Sequence, residues 1–119
     1  MSERTGLTHV ASFVLRESGS DAPLPEIAAA WLADAVPPPA VEEAVPALAE
    51  ALTALAADGL LTVRRFRTWP AAWVDGASVA GERLTVETRV AGTWLPGPAR
   101  DGLLVARVTE AGRAYLGRA

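Results

Sequence analysis

The chain has 119 residues, half of them apolar and a fifth charged, with a formal net charge of −3. That length suits one domain with one core, that composition excludes a disordered chain, and the absence of cysteine excludes disulfides, thiolate nucleophiles and thiolate metal sites together. No apolar run approaches the roughly 20 residues of a membrane helix, and the N-terminal MSERTGLTHVASFVL places Glu3 beside Arg4 with no small-residue cleavage site, so the expectation is a cytoplasmic protein with no membrane partner.

The first predicted helix runs from about Leu7 to Glu17. Leu7, Val10, Ala11 and Val14 recur at helical spacing, with Phe13 and Leu15 widening the stripe. Thr5 or Thr8 can cap it, and Ser18-Gly19-Ser20-Asp21 ends it with turn residues. A second helix opens at Pro25, a residue suited to the first helical position, with Glu26 favourable near the positive end of the dipole. Ile27, Ala28, Trp31 and Leu32 form its buried stripe. It stops at Val36, because Pro37-Pro38-Pro39 follows.

The third helix spans about Ala40 to Ala57. Val41, Val45, Leu48, Leu52 and Leu55 give its inward stripe. Pro46 lies inside this pattern and implies either a later start or a kink. Asp58-Gly59 closes the helix, glycine being favoured just past a helix end. The period then changes. Leu61 to Arg67 reads as a strand. Leu84, Val86, Thr88 and Val90 alternate with Thr85, Glu87 and Arg89, the pattern of a half-buried strand. Trp73-Val74 offers another short strand, and Leu103 to Val108 a further one. The last helix has Thr109 as its cap, Glu110 in its first turn, and an end near Leu116.

Two phrases carry a family resemblance. Leu52-Thr-Ala-Leu55-Ala-Ala-Asp-Gly59-Leu60-Leu61-Thr-Val-Arg64 resembles the passage where the recognition helix of MarR- and PadR-like winged-helix regulators enters the wing. Val108-Thr109-Glu110-Ala-Gly112-Arg113-Ala-Tyr115-Leu116 resembles the segment after their wing. The resemblance covers residues 7–67 and 103–118. It implies an α+β winged helix-turn-helix, often dimeric and often DNA-binding: three N-terminal helices, a β-sheet wing with a long insertion at about 68–102, and a C-terminal helix. Residues 1–119 are then a single domain. A shared fold does not by itself transfer function.

Charge distribution tests the DNA-binding implication. Residues 17–63 hold eight acids (Glu17, Asp21, Glu26, Asp34, Glu42, Glu43, Glu50 and Asp58) and no Lys, Arg or His. The helix that the resemblance places in the major groove presents Glu42, Glu43, Ala47, Ala49, Glu50, Thr53 and Ala54 outward. Reading guanine wants Arg or Lys, and reading adenine wants Asn or Gln. This helix has none of these, and the whole chain lacks Lys, Asn and Gln. The wing differs, since Arg64, Arg65 and Arg67 follow the helix directly, with Arg83 and Arg89 further on. On a strand Arg65 and Arg67 share a face and Arg64 points the other way. These arginines either contact phosphates without reading sequence or form a charged strand surface that pairs with Glu87 or with the acidic half.

Trp69, Trp73 and Trp94 all fall in the insertion. They either form a recognition surface or cover the sheet as a satellite core. His9 is the only histidine. Glu42 and Glu43 diverge on a helix, and Glu43 and Glu50 lie about 10 Å apart along it, too far to share a proton or an ion. No phosphate-binding glycine loop is present, and nothing calls for a metal or other cofactor. The sequence therefore reads as a non-enzymatic module that contacts a protein partner or a second copy. Its candidate interface is Glu42, Glu43, Glu50, Trp69, Trp73 and Trp94. The alternative is a DNA-binding transcriptional regulator contacting nucleic acid weakly and non-specifically through Arg64, Arg65 and Arg67.

Overall fold

The computed structural model describes residues 8–33, 40–95 and 102–118. Thr5, Leu7 and the expected end of the second helix at Val36 lie outside them. Helix α1 (His9–Glu17) is capped by Thr8, whose hydroxyl oxygen accepts from the Ala11 amide at 3.1 Å. A 3-10 turn over Ser18–Ser20 follows, then a short strand β1 (Ala22–Pro23). Helix α2 spans Leu24–Ala33 and has Pro25 in its first turn, where a missing amide costs nothing. Helix α3 (Val41–Ala57) runs through Pro46 as one element rather than starting after it.

Strand β2 (Leu61–Phe66) pairs antiparallel with β4 (Leu103–Val108), Leu61 opposite Val108 and Phe66 opposite Leu103. Strand β1 lies on the far side of β4, and the two-residue β3 (Ala77–Ser78) on the far side of β2. The antiparallel sheet thus has the order β1-β4-β2-β3. With helix α4 (Gly81–Thr88) and helix α5 (Glu110–Arg118), the fold is α+β, with five helices and a four-stranded sheet among the described residues.

The main core lies between the helices and one sheet face. Val14, Leu15, Leu24, Ile27, Leu48, Leu52 and Leu55 meet Leu61, Val63, Ala106 and Val108 there. Trp31 is only half-buried. Its ring lies 5.2 Å from Phe13 and 5.6 Å from His9, so it edges the core rather than filling it. Gly59 closes α3 at φ +75°, the left-handed position that favours glycine. Thr109 then fastens two ends together. Its hydroxyl donates to the Gly59 carbonyl at 2.6 Å and accepts from the Gly112 amide, while its own amide donates to Leu60 at 3.0 Å.

Residues 84–90 correct the sequence reading. They are not a strand. Gly81–Thr88 is a helix, and a 3-10 turn follows at Ala91–Trp94. The alternation of Leu84, Val86, Thr88 and Val90 concealed a helical pair. Leu84 and Thr88, four apart, are buried, while Val86 and Val90 are exposed. The β-branched threonines are accommodated by bonding back: Thr88 Oγ1 donates to the Leu84 carbonyl at 2.7 Å and Thr85 Oγ1 to Gly81 at 3.2 Å. Trp73-Val74 is likewise a 3-10 turn, and the extra strand falls at Ala77–Ser78.

Candidate functional site

The sequence candidates separate into three places. The first is α3. Glu42, Glu43 and Glu50 are exposed, as are Ala47 and Ala54. None of the three glutamates has an ion pair among the described residues. Ala49, expected to point outward, is instead buried, and Thr53 is half-buried. The cause is α4, which packs on α3. A groove of about 350 Å³ remains between them, lined by Val45, Pro46, Ala49, Glu50, Thr88 and Arg89 among others.

Helix α4 is fixed in that place. Leu84 is buried, and Trp94, just beyond the helix, is fully buried in the main core. The last carbonyls of α4 find donors there. Trp94 Nε1 donates to Thr88 and Thr93 Oγ1 donates to Glu87, each at 2.7 Å. Free carbonyls at a helix end need such partners. Trp94 is therefore a core residue and offers no recognition surface, contrary to its place among the interface candidates.

The second place is the outer sheet face. Thr62, Arg64 and Phe66 alternate there, opposite Arg107, Val105 and Leu103. Residues 69–73 lie over it. Phe66 and Val105 are buried, and the Phe66 ring lies 4.9 Å from Trp69 and 5.6 Å from Trp73. The Trp73 ring faces two guanidiniums, Arg107 at 4.4 Å and Arg64 at 5.2 Å, and Arg64 Nη1 donates to the Trp73 carbonyl at 2.8 Å. Trp69 and Trp73 are half-buried, so they cover the sheet as a satellite core and keep only part of their area open. Arg107 turns its other donors on Asp21, Nε and Nη2 meeting the two carboxylate oxygens at 2.8 and 2.7 Å. That bidentate bond holds the Asp21 carboxyl below the usual carboxylate range, against the opposing effect of burial.

The third place is a cleft of about 1270 Å³ between the end of β2 and α4, lined by Arg65, Arg67, Asp75, Arg83, Glu87 and Val90 among others. Arg65 Nη2 donates to both oxygens of Glu87. Arg83 reaches the same carboxylate only at 3.3 Å, with its side chain 76% exposed. Arg67 is exposed and has no ion pair among the described residues. Of the three arginines proposed to meet phosphate, Arg64 is engaged by Trp73 and Arg65 by Glu87, leaving Arg67. Arg83 joins it on the same cleft. The sequence offered Arg83 without a place, because it preceded a segment read as a strand that is in fact part of helix α4.

Among the described residues no group of three His, Asp or Glu is placed to hold a metal ion, and no helix is long and apolar enough to cross a membrane. The chain matches no family model, no curated protein and no solved structure.

Proposed function

We propose that this chain is a non-enzymatic winged-helix module acting mainly through protein–protein contacts, in a regulatory or assembly role in the cytoplasm. The order of helices and antiparallel strands is compatible with a winged helix. One observation carries the choice of protein over DNA. Helix α4 packs on α3 where Ala49, one of the positions that the resemblance turns to the major groove, is buried, and the charges that α3 still exposes are all acidic. A duplex would meet Glu42, Glu43 and Glu50 with no cation on the same helix, which repels phosphate. An acidic surface flanked by small side chains suits a basic protein surface instead, charge complementarity setting orientation and encounter.

The test is titration of a random duplex pool at two salt concentrations. The protein reading expects no enriched sequence, and recovery of one motif at physiological salt overturns it. The alternative, a DNA-binding regulator contacting the backbone through the wing, is favoured by the exposed Arg67 and Arg83. Two phosphate contacts give a log–log salt slope of about −2.

A further inference from the structure

Two exposed patches of opposite sign lie on different elements, the acidic one being purest at Glu42 and Glu43, since Arg89 shares the α3–α4 groove with Glu50. On α3, Glu42, Glu43 and Glu50 are exposed with no ion pair among the described residues. On the β2–α4 cleft the positive charge is in excess locally. Glu87 is occupied at both oxygens by Arg65, so it neutralises Arg83 weakly and Arg67 not at all. Asp75 lines the same cleft and is the remaining counter-charge there.

We propose that the Arg67/Arg83 side of this cleft receives the acidic face of α3 from a second copy of the chain. This rests on the reading of α3 as a protein-binding face and names its partner. The cleft is open and of about 1270 Å³, and Val90 at its wall is an exposed apolar residue. On the incoming helix the acids are interleaved with the exposed small residues Ala47 and Ala54, which let the two backbones approach closely. Glu43 and Glu50 lie about 10 Å apart along the helix, a spacing that spans two separate guanidiniums rather than one. The two patches are different surfaces, so the contact is head-to-tail. Each pair leaves one acidic and one basic patch free, and association grows rather than closing. The net charge of −3 on every copy opposes it, so association belongs to high protein concentration, and it weakens as salt screens the patches.

The experiment is light scattering or sedimentation of the full chain at about 50 mM and about 500 mM salt, screening lengths that differ roughly threefold. Two variants are compared: Glu42→Gln with Glu43→Gln and Glu50→Gln, and Arg67→Gln with Arg83→Gln. All five positions are exposed, and circular dichroism checks that both variants stay folded. The wild type is expected to gain mass with concentration at low salt and return to monomer at high salt. Each variant alone is expected to stay monomeric. An equimolar mixture of the two is expected to give a 1:1 heterodimer that grows no further, since only one contact per pair survives. A wild type that is monomeric throughout, variants that associate like the wild type, or a mixture that stays monomeric each overturns the proposal. If the wild type is monomeric yet the glutamate variant loses a basic protein that the wild type captures, the second-copy assignment falls and the protein-binding reading stands. If neither mass nor captured partners change, both fall.

Discussion

Asp21 combines two constraints that are separable by substitution. Its backbone sits at φ 54° and its carboxylate is held by Arg107. Because its pKa in the folded state lies below the unfolded value of about 3.9, the pair's stabilisation is fully present above that value and is lost as pH falls through the folded-state pKa. Asn tolerates the left-handed conformation and carries no charge. Asp21→Asn is therefore expected to flatten the loss of thermal stability below about pH 4, measured as melting temperature against pH in parallel with the wild type. Gly112 is constrained by space instead. A methyl group there would overlap the Leu60 carbonyl and the Val108 side chain. Gly112→Ala should cost about 1–3 kcal/mol in denaturant unfolding, as overpacking does.

At the scale of elements, legibility followed the number of independent signals. Helices α1, α2 and α3 each combined a periodic apolar pattern with a cap or turn residue, such as Thr8, Pro25 or Gly59, whereas α5 was marked by Thr109 and Glu110 and strands β2 and β4 by short runs between turn residues. Strand β1 left no trace, because two residues, one of them a proline, show no period. Helix α4 was misread because eight residues fit both periods. The deciding partners, α3 and the Trp94 indole, lie elsewhere in the chain. The same limit applied to the candidate site. Acidity on α3 was plain in the sequence, whereas the burial of Ala49 and Trp94 depends on that helix. Leu55 and Trp94 test the two halves of the core. Leu55→Ala should cost about 2–5 kcal/mol and Trp94→Ala about 3–5 kcal/mol in equilibrium unfolding. Trp94→Ala should also expose α3, increasing hydrogen exchange in 81–94 before the rest of the chain.

For the whole molecule, charge is segregated along the sequence, and the fold keeps part of that segregation at the surface. Residues 17–63 carry only acids and 64–119 nine of the eleven arginines. Folding neutralises some of both through Asp21–Arg107 and Arg65–Glu87. What remains exposed on α3 contributes little to stability, since solvated charges are worth little to a fold. Changing Glu42, Glu43 and Glu50 to Gln together should lower unfolding stability by no more than about 1–2 kcal/mol, chiefly from Glu42 and Glu43 in the first turn of α3, while weakening capture of a basic partner. A large loss of stability would assign these acids to the fold rather than to recognition.

The sheet order also fixes when the sheet can exist. One of its two inner strands, β4, is the last described strand in the sequence, and both β1 and β2 pair with it. Synthesis proceeds from the N-terminus, and structure ordinarily accrues in that direction. Here the three helices can collapse on Leu48, Leu52 and Leu55 early, but the strands cannot close behind them. Before residues 103–108 leave the ribosome, β1 has no neighbour and β2 has only the two residues of β3. Pairing then joins Pro23 to Val105 and Phe66 to Leu103 across long stretches of chain, the kind of distant closure that slows folding. A nascent chain halted before Leu103 would carry strand edges matched to nothing it yet contains.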